Sequence, residues 1–129
     1  MLIHHLVDTV CPHSGNAAHA VEVREGSRLL FLNGQVGSRR DGTVPASFRE
    51  QAEIVFERIA DILKSADMTL ADVARFTVYL TDRADRDDFF AIRDRVMGEH
   101  KPGATILIIS GLAREEMKLE VETVAAKAA

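Results

Sequence analysis

The sequence is poor in the features that mark secreted, membrane and nucleic-acid-binding proteins. Its single cysteine, Cys11, excludes an internal disulfide and fits a reducing cytoplasm. No apolar stretch approaches membrane-spanning length, and the first residues lack the basic start and long apolar run of a secretion signal. The formal net charge is −4 with five histidines counted neutral, which indicates neither a nucleic-acid nor an anionic-membrane partner. We therefore expect a cytoplasmic protein.

What remains is the composition of an ordinary globular protein. Of 129 residues, 47% are hydrophobic and 28% are charged. Such a chain is long enough for one hydrophobic core and too short for two. We expect residues 1–129 to form a single domain.

The hydrophobic periodicity predicts the element order β-β-β-α-β-α-β-β. The predicted strands cover 2–7, 20–23, 28–37 and 73–80, with two more inside 101–122, and the predicted helices start at Ser47 and within 82–88. Ser47 and Glu50 have the spacing of a capping box, and the helix they open ends near Ala66. The glycines of 33–37 predict a β-bulge or a close backbone approach within the third strand.

Two helices can cover only one face of a five- or six-stranded sheet. The predicted strand 105–109 is apolar on both sides, which an uncovered sheet would not tolerate. We therefore expect a homo-oligomer in which sheet faces pack together. The last strand alternates, so that Glu120 and Glu122 point away from Leu119 and Val121. A carboxylate row of this kind is ordinarily solvated surface, which makes Glu120 the residue to test.

The joint order of several short motifs resembles the RidA/YjgF family of reactive-intermediate (enamine/imine) deaminases over nearly the whole chain. These motifs are Pro12-His13-Ser14, Asn33-Gly34-Gln35, the helix from Phe48, Val78-Tyr79-Leu80-Thr81-Asp82, Gly98-Glu99-His100, Pro102, Ser110-Gly111-Leu112 and Leu119-Glu120-Val121. The resemblance implies an α+β, chorismate-mutase-like fold, with a mixed sheet and two helices on one face. It also implies a homotrimer with a small-molecule cleft between each pair of subunits.

The chain departs from that family at three places. Ala104 stands where active members have an arginine that clamps the substrate carboxylate, a bidentate contact that a methyl group cannot replace. His13 replaces the aromatic residue of the family's Pro-Tyr-Ser loop, and the second helix is about three residues shorter than usual. Glu120, the family's water-handling carboxylate, is retained.

The resemblance therefore implies Glu120 as the catalytic residue, and we predict a set of substrate-binding positions to go with it. Those positions are His13, Ser14, Gly34, Ala104, Thr105 and Arg114. Four of these residues have a plainer interpretation: Glu120 as a solvated carboxylate paired with Lys118 or Lys101, His13 as a polar contact, Gly34 as a simple bulge and Arg114 as a solvated side chain. No metal-ligand spacing and no cofactor motif is present, and Cys11 has no base partner that can be read from the sequence.

Three functions remain open. The first is hydrolytic deamination of an enamine or imine by water that Glu120 positions, on a substrate that is atypical because of Ala104. The second is a non-catalytic trimer that binds a small metabolite. The third is an endoribonuclease or translation inhibitor, against which the negative charge and the lack of an aromatic-basic stripe both argue.

Overall fold

The structure is a computed structural model that describes residues 2–12 and 18–129. The described residues form six strands and two α-helices in the predicted order, including the short first strand. They are β1 (Leu2–His5), β2 (Ala20–Val23), β3 (Ser27–Val36), α1 (Phe48–Ser65), β4 (Val73–Leu80), α2 (Arg86–Met97), β5 (Gly103–Ile108) and β6 (Leu119–Ala128). Short 3₁₀ turns at Leu70–Asp72 and Arg83–Asp85 precede β4 and α2.

The strands form two sheets, so the expectation of one five- or six-stranded sheet was wrong. A four-stranded mixed sheet has the order β3-β6-β4-β5, in which only β4 and β5 are parallel. β1 and β2 pair with each other as a separate antiparallel ladder. β2 contacts β4, but the two strands share no ladder.

α1 begins where the sequence predicts, and its apolar face explains its position. The hydroxyl of Ser47 accepts a hydrogen bond from the backbone N–H of Glu50 at 3.3 Å. The carboxylate of Glu50 lies 3.5 Å from Arg39, with which it forms an ion pair. The buried face contains Phe48, Gln51, Ala52, Val55, Phe56, Ile59 and Leu63. This face packs on β3, β6 and α2.

The hydrophobic core lies between the two helices and one face of the four-stranded sheet. The ring of Phe56 meets Phe76 of β4 edge-on and stacks on Phe89 of α2, with centroid distances of 5.9 Å in both cases. Phe76, Val78 and Leu80 all face this core, as their alternation predicts. None of the helices in the described part of the chain combines the length and apolar character needed to span a membrane.

The opposite face of the sheet, which we call the helix-free face, carries exposed apolar side chains. Phe31 and Leu29 of β3 are 71% and 53% exposed, and Leu107 of β5 is 44% exposed. Strand alternation and register place all three on the face that also carries Glu120 and Tyr79. The helices therefore leave one sheet face without a covering layer inside a single chain, as expected.

Candidate functional site

Glu120 is held on the helix-free face at the point where β3 bulges. It is the second residue of β6 and pairs with Val36 on one side and Tyr79 on the other. In β3, Leu32 pairs with Thr123 and Gln35 with Val121, so residues 33 and 34 together oppose the single residue 122 of β6. The structure therefore confirms a bulge at Asn33-Gly34.

The bulge brings the backbone of Gly34 directly beneath the side chain of Glu120. A Cβ atom placed on Gly34 would lie 2.5 Å from Oε2, 2.7 Å from Cδ and 2.9 Å from Cγ of Glu120. The close backbone approach predicted at this glycine is therefore present, and it is an approach to the predicted catalytic carboxylate. Glu120 is half-buried by it.

Within residues 2–12 and 18–129, no cation lies within ion-pair distance of Glu120. Lys101 pairs instead with Asp94 at 3.7 Å, and no ion pair joins Lys118 to Glu120. The plainer interpretation of Glu120, as one half of a surface ion pair with either lysine, therefore receives no support. Its carboxylate oxygens remain available to a water or a ligand.

Tyr79 forms a polar cluster with the two carboxylates of β6, and the sequence did not single it out. Its hydroxyl donates a hydrogen bond to Glu122. This bond, together with desolvation and the charges of Glu122 and Glu120, raises the pKa of Tyr79 above its ordinary value. The signal was the alternation of β4, which puts Tyr79 on the helix-free face, but strand pairing was needed to place it opposite Glu120.

The segment that leads into β6 is fixed by Gln51 of α1, another residue that sequence reasoning missed. Its amide nitrogen donates to the carbonyls of Pro45 and Glu116, at 2.8 and 3.0 Å. Its amide oxygen accepts from the backbone N–H of Lys118 at 2.9 Å. The side chain is buried. Gln51 therefore anchors the turn from which Glu120 emerges, although its position on an apolar helix face gave no hint of this.

Arg114 is engaged in the turn before β6. Its guanidinium donates to the carbonyl of Gly42 at 3.0 Å and forms an ion pair with Glu116. A backbone hydrogen bond and this arginine together lower the pKa of Glu116. Arg114 is exposed, and its contacts tie two loops together.

Ala104 and Thr105 occupy β5, and their register separates Ala104 from Glu120. Ala104 pairs with Phe76, which points into the core, whereas Glu120 pairs with Tyr79 on the helix-free face. Ala104 and Glu120 of one chain therefore lie on opposite faces of the sheet. Thr105 lies on the helix-free face, and its hydroxyl accepts a hydrogen bond from Arg75.

Two depressions of similar size accompany these residues. One, of about 350 Å³, lies on the helix-free face and is lined by Phe31, Leu32, Asn33, Gly34, Arg75, Thr77, Glu122, Thr123 and Val124. The other, of about 360 Å³, lies at the β5 edge and is lined by Arg83, Arg86, Phe90, Ala104, Thr105, Ile106 and Ile108. We call the second the edge cavity. The predicted positions are thus divided between the two: Gly34 in the first, Ala104 and Thr105 in the second.

The other predicted residues have simple placements. His13 and Ser14 lie outside the described residues. Cys11 is exposed, and its carbonyl oxygen is 2.9 Å from Nε2 of His19. In the ranges 2–12 and 18–129, no three His, Cys, Asp or Glu side chains are grouped so that they could hold a metal ion.

Comparison with known proteins identifies the family of this chain. The sequence model of the family described as Endoribonuclease L-PSP matches residues 14–127. The chain belongs to the RidA/YjgF family. The RutC family protein YjgH of Escherichia coli K12 is 30% identical over 113 residues, which cover 84% of this chain and 86% of YjgH.

Two further matches extend the comparison. The Escherichia coli K12 protein named "Putative reactive intermediate deaminase TdcF" is 26% identical over 105 residues, covering 78% of this chain and 81% of TdcF. The crystal structure of YyfB from Yersinia pestis, a protein of the Rid family, superimposes with a TM-score of 0.87 at 24% identity and covers 98% of both chains. Family and fold together confirm the α+β, chorismate-mutase-like architecture.

Proposed function

We propose that this RidA/YjgF protein hydrolyses a reactive enamine or imine to a carbonyl compound and ammonia. The observation that carries the proposal is the close packing of the Glu120 side chain on the backbone of Gly34. This contact fixes a half-buried carboxylate that has no cation partner in the described ranges. The name of TdcF supports the same chemistry, and the fit of the fold makes the comparison of positions meaningful.

The chemistry requires one water and one carboxylate. An enamine first tautomerises to the imine. Glu120 accepts a proton from a bound water as the water oxygen attacks the imine carbon, and it then passes that proton to the imine nitrogen to give a carbinolamine. Glu120 next takes the hydroxyl proton of the carbinolamine and returns it to the nitrogen, so that the C–N bond breaks, ammonia leaves and the carbonyl product remains. Glu120 acts as a general base that touches the attacking water, a role worth about 10²–10⁴ in rate.

The site would be completed by a second copy of the chain in a homotrimer. Glu120 and Ala104 of one chain lie on opposite sheet faces, so no single cleft within one chain contains both. The exposed apolar residues of the helix-free face, led by Phe31, are of the kind that an oligomer buries. In this arrangement Glu120 of one subunit meets the edge cavity of its neighbour, and His13 and Ser14 are further substrate-binding residues. We further propose that the chain works as a single domain in the cytoplasm.

Ammonia release tests the deaminase directly. The protein is incubated with 2-aminoacrylate generated by a dehydratase and, separately, with a panel of uncharged imines. We expect acceleration over buffer for at least one substrate and a loss of about 100-fold or more in Glu120→Ala. The matched control is Glu57→Gln, which removes an exposed carboxylate from the solvent side of α1 and should retain full activity. No acceleration for any substrate, or full activity in Glu120→Ala, would overturn the proposal.

The replacement of the carboxylate-clamping arginine by Ala104 favours a second candidate, a trimer that binds a metabolite without turning it over. A thermal-shift screen separates the two, because a ligand that binds only the folded state raises the melting temperature whether or not it reacts. Ligands that stabilise the wild-type protein in the absence of any ammonia release would select this candidate.

A further inference from the structure

Arg58 of α1 contacts the end of β3, on the side of the sheet that the helices cover. Its Nε donates a hydrogen bond to the side-chain oxygen of Gln35 at 3.0 Å. Its Nη1 donates to the carbonyls of Val36 and Ser38, at 3.2 and 3.1 Å, and to the hydroxyl of Ser38. These contacts all fall on residues 35–38, which directly follow the bulge at Asn33-Gly34.

The charge of Arg58 is not used in an ion pair. Glu57 and Asp61 border the same surface groove, but within residues 2–12 and 18–129 neither carboxylate lies within ion-pair distance of Arg58. Its partners are neutral: an amide oxygen, two carbonyls and a hydroxyl. An arginine only donates, and its N–H groups lie in one fixed plane. Arg58 therefore serves as a rigid set of donors for the end of β3.

Gln35 connects Arg58 to the bulge. Because Arg58 can only donate, the atom of Gln35 that faces it must be the amide oxygen. The amide nitrogen is thereby turned the other way, and it donates to the carbonyl of Asn33 at 3.0 Å. Gln35 is buried. Arg58 thus determines which way the amide of Gln35 is turned, and with it whether the carbonyl of Asn33 has this donor.

The bulge depends on such contacts because strand pairing does not fix it. Among the described strand pairs, neither Asn33 nor Gly34 has a partner in β6, and a bulge interrupts the ladder where it occurs. Glu120 nevertheless packs on Gly34 and pairs with Val36. Arg58 holds both positions from the opposite face of the sheet. It binds the carbonyl of Val36 directly, and the hydrogen bond from Gln35 to Asn33 spans Gly34.

We propose that Arg58 and Gln35 are positioning residues for Glu120. They fix the bulge from the helix side of the sheet, so that the carboxylate keeps its place on the helix-free face. Both act through the backbone of β3 and not on the substrate or the attacking water. A small misplacement of a catalytic group can cost about 100-fold in rate, so loss of either contact should slow the reaction. This inference rests on the proposed deaminase function and adds two residues to it.

Gln35→Glu separates the two contacts of the amide. Its carboxylate still accepts from Arg58 but has no N–H to donate to Asn33. We expect kcat with the best imine substrate to fall at least about tenfold and KM to change less than about twofold, because Gln35 lies on the face away from the substrate. Urea denaturation should show one cooperative transition, as in the wild type. A wild-type kcat in Gln35→Glu would overturn the inference.

Arg58→Met removes the donors and keeps a long unbranched side chain, and it should show the same selective loss of kcat. Arg49→Met makes the same exchange on the same helix, at an exposed residue that pairs with Asp88 at 2.9 Å, and should leave kcat unchanged. An equal loss in Arg49→Met would overturn the inference, because it would show a general effect of charge.

The Glu120→Ala background tests whether both residues act through Glu120. In that background neither Gln35→Glu nor Arg58→Met should lower the remaining rate further, because the group that they position is gone. A further loss of tenfold would show that they act by another route and would overturn the inference.

The carboxyl carbon resonance of Glu120, measured by nuclear magnetic resonance, needs no turnover. We expect Arg58→Met to shift it, although Arg58 and Glu120 lie on opposite faces of the sheet, and Arg49→Met to leave it unchanged. Glu120-dependent ammonia release with no effect of Arg58→Met or Gln35→Glu overturns only the positioning role. A shifted Glu120 resonance in Arg58→Met, together with no ammonia release in the wild type, overturns the deaminase and leaves the link from Arg58 to Glu120 standing.

Discussion

The carboxylate of Glu120 occupies the space in which a side chain on Gly34 would begin. The distance from Oε2 to that Cβ position is 2.5 Å, well inside van der Waals contact. The φ angle of Gly34 is not positive, so the glycine is required here for space and not for a left-handed backbone. A bulge on one strand thus sets the position of a carboxylate on the next.

We expect Gly34→Ala to reduce ammonia release by about 100-fold, since a small misplacement of a catalytic group can cost that much. The obstacle is the flexible end of a side chain, so the new methyl group should displace the carboxylate at a cost in stability of about 1 kcal/mol. Rates with the best imine substrate and urea denaturation measure the two effects. Gly111→Ala is the control, because a Cβ there meets no atom within 4 Å. Full activity in Gly34→Ala would show that the contact does not matter.

At Gly37, three residues further along the chain, a new methyl group should meet an obstacle that cannot move aside. A Cβ on Gly37 would lie 2.5 Å from both Cα and Cβ of Gln51 and 2.7 Å from its carbonyl oxygen. This obstacle is helix backbone, held by a buried side chain that cannot swing aside. We expect Gly37→Ala to lower the free energy of unfolding by about 3 kcal/mol, the upper part of the range for overpacking. Urea denaturation checks this, and a loss below that for Gly34→Ala would contradict it.

The sequence predicts local features of this fold better than its long-range pairing. The alternation of 117–122 was enough to put Glu120 on the face away from the core, and the glycines of 33–37 were enough to predict the bulge. The opposition of Ala104 and Glu120 could not be predicted, because it depends on the register of the parallel pair β4 and β5. Parallel pairing joins segments that are distant in sequence, so periodicity within each strand leaves the relation between them open.

The same limit applies to the polar residues that support the site. In the sequence Gln51 is one more position on an apolar helix face, yet its side chain forms hydrogen bonds with three backbone groups of two loops. In the sequence Arg83 and Arg86 belong to the charged start of the second helix. Only the folded structure shows that they line the same cavity as Ala104. Both cases depend on loop positions, which the pattern of apolar residues does not specify.

Phe31→Asp should prevent oligomerisation while the fold remains intact. Phe31 is exposed on the helix-free face, and burying a charged side chain between two apolar sheet faces is costly. Size-exclusion chromatography with light scattering should show a trimer for the wild type and a monomer for the variant, with unchanged circular dichroism. Leu6→Asp is the control, because Leu6 is equally exposed but lies outside the four-stranded sheet. A trimeric Phe31→Asp protein would argue against an interface on this face.

Tyr79 offers a direct measurement on the polar cluster beside Glu120, because it is the only tyrosine and the chain has no tryptophan. Its hydroxyl donates a hydrogen bond to Glu122, so loss of the proton would break that bond and place two anions side by side. The pKa of Tyr79 is therefore raised from its ordinary value of 10.0. The folded state thus keeps a proton that the unfolded state releases. This contribution to stability is complete below pH 10.0 and is lost as the pH rises through the higher pKa of the folded protein.

Titration of tyrosinate absorbance should give a midpoint above 10.0 in the wild type, a lower midpoint in Glu122→Gln and no change in Glu57→Gln. An unshifted midpoint in Glu122→Gln would contradict the contact.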